Sequence, residues 1–384
     1  MAPPSLTLTL TRRQAQRLAL SAGAGLAKSR RHGPAAVEEL IARIGFVQID
    51  TISVVQRAHH HILAARVPAY TTDWLDGANV LEYWAHAAAY LPWRDYRYTL
   101  PRKRRVKANG HDWFRADRQA VDLVLARIRS EGPLRARDFE HRETRAGWWD
   151  WKPAKRALEY LFMAGELMVS RQGFQKVFDL TERVLPTRID TQMPTAEEQG
   201  AWYVDRALDA WGIVARDEFA YLRKEYVGEI GTILAAREEA GTLQRAIVEG
   251  IPKVVYWVRP NDLALLDRRR PVDPALHILS PFDPLLIHRK RISRLFGFDF
   301  AIECYLPAAK RRFGYFALPL FWRGGFIGLL DAKADRTTSV LEVRKLRYDG
   351  RPSQRANFDE ALDEALLDFA RFNGVALVKR LDHS

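Results

Sequence analysis

Two stretches of this chain are variants of one another: AGELMVSRQGFQKVFDL at residues 164–180 and AGTLQRAIVEGIPKVVYWV at residues 240–258. Both open on Ala-Gly-x-Leu, carry a Gly in the turn region and run through a Lys-Val core, the pattern of two alternating strands joined as a hairpin. Each hairpin follows helical segments. The first set is a helix from about Arg115 to Ser130, a break at Gly132-Pro133-Leu134, a short helix near Asp138 and a helix from about Pro153 to Ala164. The second set runs from Glu197 to Ala210, past a short helix near Phe219, and from Ile230 to Ala240. Helix, turn, helix and then hairpin is the order of a winged helix, and its recurrence limits the fold to an array containing that unit at least twice.

The flanking segments read differently. Thr11 to Lys28 and Ala35 to Ile44 have helical spacing, separated by the Gly33-Pro34 break, and FVQIDTISVV (residues 46–55) can begin as a strand and end as a helix. A tryptophan-rich stretch from Trp74 to Tyr90 is expected to be helical and to stop before Pro92. Beyond Pro271, strands are expected over Ile302 to Tyr305, Gly314 to Leu320, Gly325 to Ala332 and Ser339 to Leu346, followed by a closing helix from about Asn357 to Phe372.

Charge narrows the partner. Sixty Lys and Arg against 47 Asp and Glu give a formal net charge of +13, supplied mostly by arginine, whose planar fork suits phosphate oxygens and base edges. The one cysteine, Cys304, excludes an internal disulfide and any cysteine-based zinc site, which suits a reducing cytoplasm. No stretch approaches the roughly 20 apolar residues of a bilayer span, and MAPPSLTLTL lacks the form of a signal peptide, so a cytoplasmic protein is expected. No phosphate-binding Gly-rich loop, serine nucleophile elbow or paired-histidine zinc helix occurs, and no cofactor is implied.

One constellation can carry chemistry. Gln48 and Asp50 flank Ile49, so in an extended segment an amide and a carboxylate leave the same face and can hold a water between them. On spacing alone, Gln48 could equally solvate a loop and Asp50 cap a helix starting at Thr51. His59 and His60, with His61, lack a matching metal-ligand pattern; beside Arg57 they read as a partly cationic edge able to contact phosphates. His86, in the expected aromatic helix, reads as a supporting histidine. Arg102-Lys103-Arg104-Arg105 with Lys107 is a phosphate-binding candidate. Lys310, Arg311 and Arg312 before one strand, and Trp322 with Arg323 after it, could gather basic and aromatic groups at hairpin tips that probe a groove.

Val47-Gln48-Ile49-Asp50-Thr51-Ile52, Arg57-Ala58-His59-His60, Tyr83-Trp84-Ala85-His86 and Leu279-Ser280-Pro281-Phe282-Asp283-Pro284 occur in this order. On these motifs nearly the whole chain resembles the bacterial winged-helix DNA glycosylases that unhook interstrand crosslinks, the AlkZ/YcaQ-like family. Gln48-Ile49-Asp50 looks like its Gln-apolar-Asp branch. The resemblance implies an α+β fold of three tandem winged helix-turn-helix units and a C-terminal β-barrel-like module, with boundaries at 1–112, 113–190, 191–272 and 273–384. It also implies Gln48 and Asp50 as catalytic residues, double-stranded DNA with alkylation damage or crosslinks as partner, a monomer, and a monofunctional glycosylase acting on N7-alkylated purines. The rival expectation is a non-catalytic winged-helix transcription regulator, for which the charge and the repeats matter and Gln48 and Asp50 do not.

Overall fold

A computed structural model of the chain describes residues 7–110, 117–139, 151–221, 225–268 and 273–381. The start of the helix expected from Arg115, and the expected boundaries at 112 and 272, lie outside the described residues. In chain order the first segment holds β1 (Leu8–Leu10), α1 (Arg12–Ser21), α2 (Gly33–Ile44), β2 (Val47–Gln48), α3 (Ala58–Ala64), α4 (Asp73–Asp76), β3 (Leu81–Trp84), β4 (Ala88–Leu91) and α5 (Leu100–Asn109). The second holds α6 (Arg118–Glu131), β5 (Leu134–Arg135), α7 (Trp151–Ala164), β6 (Leu167–Gln172), β7 (Gln175–Leu180) and α8 (Thr181–Val184). The third holds α9 (Ala196–Trp211), β8 (Ile213–Ala215), α10 (Val227–Glu239), β9 (Gln244–Val248), β10 (Ile251–Val258) and α11 (Pro260–Leu263). The last holds β11 (Leu276–Ile278), α12 (Arg289–Phe296), β12 (Ala317–Trp322), β13 (Gly325–Asp335), β14 (Val340–Tyr348), α13 (Arg355–Phe372) and β15 (Leu377–Arg380).

Local chemistry sets the helix ends. Thr11 accepts from the Gln14 backbone N–H at 3.2 Å while the Gln14 side chain accepts from Thr11 N–H at 2.8 Å, a reciprocal cap that starts α1. Thr195 and Glu198 make the same pair at the start of α9, at 3.1 and 2.8 Å. Asp117 caps α6 through Ala120 N–H, and α2 has Pro34 in its first turn and stops at Gly45, whose φ of +92° suits glycine.

Both hairpins of the repeated motif form: β6 pairs antiparallel with β7, and β9 with β10. Each completes a small sheet against the strand that follows a helix-turn step, β5 beside β7 and β8 beside β10. The third segment's sheet also takes in β1, parallel to β9 through Leu8↔Ala246 to Leu10↔Val248, so the chain's first strand and α1 pack on residues far away in sequence. The last segment is a five-stranded sheet in the order β11-β12-β13-β14-β15, curled into a half-barrel over α13.

Two expectations are corrected. The tryptophan-rich stretch is not a helix: after the four-residue α4, Leu81–Trp84 and Ala88–Leu91 form a hairpin that β2 extends, in the order β2-β4-β3. The alternation of Leu81 and Tyr83, both buried, is a strand pattern that the density of aromatic residues had obscured. Ile302 to Tyr305 is a turn, because the Glu303 carboxylate accepts from the backbone N–H groups of Arg312, Phe313 and Gly314 at 3.1, 2.8 and 3.1 Å. Those N–H groups are then lost to any ladder, and β12 starts only at Ala317.

Among the described residues no helix is long and apolar enough to cross a membrane.

Candidate active site

Gln48 lies on β2, opposite Ala89 of β4, and the Ile49 N–H donates to Ala88 O at 2.8 Å, so the ladder runs one residue past the strand end. Val47 and Ile49 are buried in the core of the first segment, which holds this stretch extended and pins the register of Gln48 and Asp50. The chain then leaves the sheet without entering a helix. The Asp50 carboxylate accepts from Ile52 N–H at 2.7 Å, a local turn contact, and the next helix starts only at Ala58.

Gln48 is buried and its Oε1 lies 3.1 Å from Nε2 of His86, in the turn between β3 and β4. His86 is thus a strand-turn residue rather than the helical one expected. Its ring meets the edge of Phe46 at 5.1 Å and of Tyr221 at 5.5 Å, and Tyr221 in turn packs 3.9 Å from His288 and donates to Ile287 O. With Oε1 accepting from His86, the amide presents its NH2 group as the part that can orient a water. A cavity of about 100 Å³ borders His86 and is lined by Trp84, Tyr98, Trp202 and Tyr221.

Burial raises the Asp50 carboxyl above its ordinary pKa, opposed in part by the Ile52 and Thr51 N–H groups. Cys304 and Tyr305 are also raised, first by burial and then by the nearby charge of Asp50, so the loop ahead of β12 borders the carboxylate. A partly desolvated carboxylate beside an anchored amide can take a proton from water and face a developing cation.

The histidines are not the cationic edge that the sequence suggested. His59 is buried and its pKa is driven well below the ordinary range by burial, then by His60, Arg171 and Arg57. His60 falls to about 4 for the same first reason, with Nδ1 2.7 Å from the Tyr70 hydroxyl, and His61 falls to about 4 with Nε2 2.8 Å from Ile278 O. All three are neutral at pH 7, and Arg57 alone of that motif carries charge.

The Arg102–Arg105 run with Lys107, the phosphate-binding candidate, is split: Arg104, Arg105 and Lys107 are exposed while Lys103 turns inward. Lys103 is buried, its ammonium 3.9 Å from the Tyr96 ring and its pKa lowered to about 7 by burial. Arg105 pairs with Glu225 at 2.9 Å and Lys107 with Glu166 at 2.5 Å. Trp322 is buried and donates to Pro274 O, so it underpins the hairpin instead of capping it; Arg323 turns the tip at φ +50° and lies 4.5 Å over the Trp322 ring. Lys310 and Arg312 are exposed on a separate loop, where Arg311 lies 4.8 Å over Tyr315.

Sequence reasoning missed Phe46 and Tyr221 around His86, and Cys304 and Tyr305 near Asp50. Only chain folding brings residues 46, 86 and 221 together and residue 305 near Asp50, and no spacing in the sequence signals it.

The family described as DNA glycosylase AlkZ-like matches residues 41–372, and the chain belongs to this family; its substrate is DNA and its activity class is glycosidic-bond cleavage. The fold is similar to that of the Streptomyces sahachiroi DNA glycosylase AlkZ, at a TM-score of 0.61 and 16% identity over 97% of this chain and 100% of that one.

Proposed function

We propose that this protein is a monofunctional DNA glycosylase that hydrolyses the N-glycosidic bond of N7-alkylated purines, including those in nitrogen-mustard-type interstrand crosslinks, and leaves an abasic site. The observation that carries this reading is the anchored pair: Gln48, oriented by His86, next to a half-buried Asp50. Alkylation at N7 puts positive charge on the base, so when the C1′–N9 bond breaks its electron pair neutralises that charge and little help is needed from an acid. What remains is to face the oxocarbenium ion with an anion and deliver water to C1′. Gln48 orients the water, its oxygen bonds to C1′, and Asp50 takes the proton. No lysine stands in the Gln-Ile-Asp motif to form a Schiff base with the sugar, which supports hydrolysis without strand cleavage. A crosslinked base is tethered to the opposite strand and cannot be fully extruded, and the partial exposure of Asp50 suits such a substrate.

In this reading three winged-helix units, at 1–112, 113–190 and 191–272, and the β-rich module at 273–384 act as one monomer on duplex DNA in the cytoplasm. Arg57, Lys310, Arg311, Arg312 and Arg323 contact DNA; His59, His60 and Trp322 support them by packing.

The test incubates the purified protein and its Asp50→Asn variant with duplex carrying N7-methylguanine or a nitrogen-mustard crosslink. Base release by the wild type, reduced at least about 100-fold in Asp50→Asn with DNA affinity retained, is the expected result. Equal loss of binding and excision would defeat the assignment of Asp50, and a strand nick without added base or heat would defeat the monofunctional reading.

A further inference from the structure

Arg57 stands at the start of α3 with its guanidinium 4.0 Å above the ring of Phe174, the residue at the tip of the β6–β7 hairpin. Arg171, from the same hairpin, lies 4.8 Å from that ring, and the His59 ring stacks on it at 6.0 Å and 9°. The ring under Arg57 is thus itself held by Arg171 and His59.

The two arginines are satisfied differently. Arg171 is a closed unit: two hydrogen bonds to Glu82 at 2.6 and 2.8 Å and a third to Phe174 O at 2.8 Å. Arg57 has no carboxylate among the described residues, and its Nε is buried without a hydrogen-bond partner. The nearest charges acting on it are those of Arg336 and Arg171, both of its own sign. Arg336 is exposed at the turn between β13 and β14, where Asp335 accepts from Thr337 and Thr338 N–H.

Like charges gathered by three separate segments, one of them partly desolvated and without an internal anion, repel one another until an external anion arrives. The segments are also fastened. Val54 O accepts from Ala334 N–H at 2.9 Å, and Gln56 N–H donates to Asn373 Oδ1 at 2.6 Å, so the stretch from Asp50 to Arg57 is tied to β13 and to the end of α13. A phosphate held by Arg57 is therefore at a set distance from Asp50, seven residues earlier.

We infer that Arg57, supported by Phe174 and joined by Arg336, seats one phosphodiester of the DNA strand and thereby sets the register of the nucleotide presented to Asp50. The inference rests on DNA being the substrate and is independent of which lesion is excised. A planar guanidinium held by an aromatic ring can offer its terminal Nη groups to phosphate oxygens, and a phosphate contact fixes register without reading sequence.

The test is equilibrium binding of undamaged duplex between about 50 and 200 mM salt, so that it reads no turnover. Arg57→Met should reduce the slope of log affinity against log salt by about 0.9, one released counterion, and weaken binding several-fold alike on unrelated sequences. Arg57→Lys keeps the charge and should keep the slope. Arg336→Gln, at an exposed turn that tolerates change, should also lower the slope. A wild-type slope in folded Arg57→Met overturns the inference, as does a reduced slope confined to Arg336→Gln. If Arg57→Met does not fold, a lost slope in Arg57→Lys overturns it and a kept slope together with the Arg336→Gln loss supports it. Failure of base release by the wild type, measured separately, would instead count against the lesion reading.

Discussion

At the scale of single residues, the site depends on making two ordinary side chains unequal to their exposed counterparts. Gln48 is held at one end by His86, and in the proposed mechanism its amino group orients the water. Asp50 is half-buried, and burial penalises its anion. The sign has two consequences. In the proposed mechanism excision requires the anion, so single-turnover rates should fall on the acid side with an apparent pKa above the ordinary 3.8 of aspartate. Because the folded-state pKa is raised, stability from the protonated form is present at low pH and lost as pH rises through that pKa. Asp50→Asn, a permanently neutral group, should therefore unfold at higher denaturant than wild type at pH 7, the gap closing as pH falls below the carboxylate range. A gap that widens with falling pH would mean that Asp50 is stabilised as an anion instead.

At the scale of elements, the position of Gln48 depends on how α2 ends. Gly45 closes that helix at φ +92°, and a Cβ there would meet the Arg206 guanidinium at 1.8 Å. Arg206 cannot easily yield, since its Nε pairs with the buried Asp95 at 3.2 Å and its Nη1 donates to Ala42 O. Gly45→Ala should cost about 1–3 kcal/mol of stability in chemical denaturation. It should also slow excision more than it weakens DNA binding, because β2 begins two residues later. Excision and stability at wild-type levels would show that the turn absorbs the methyl group. The hairpins of residues 164–180 and 240–258 were legible because period-two alternation between Gly turns has few other solutions. The β3–β4 hairpin was not, since aromatic and alanine residues satisfy helical and strand spacing alike, and pairing with β2 decides between them.

At the scale of the whole molecule, buried ion pairs join distant segments. Arg66, just after α3, forms a two-pronged bridge to Asp283 at 2.8 and 2.7 Å with both side chains fully buried, and also donates to Gly25 O and Ala24 O. Arg291 makes a single bond to the buried Glu218 at 2.8 Å and also donates to Ile213 O and Trp211 O. Asp283→Ala would leave an unpaired buried guanidinium and should destabilise the fold by about 3–5 kcal/mol. Denaturant unfolding followed by tryptophan fluorescence checks this, and a loss below about 1 kcal/mol would show that the bridge is replaceable.

The sequence by itself determined the repeated hairpins, the DNA-binding charge and the family, through Gln48-Ile49-Asp50 and three other motifs, because these rest on local periodicity and contiguous residues. It also marked Asp283 within a motif, but not what that residue holds. Tertiary structure alone decided that β1 joins β9 across more than 230 residues, that His59 and His61 are buried and neutral, and that His86 reaches Gln48. It also decided that Lys103 turns inward while Arg57 has no carboxylate partner among the described residues. Burial and partnership are properties of what the rest of the chain brings alongside a residue, and desolvation by that surrounding, rather than residue type, sets which basic groups can meet DNA.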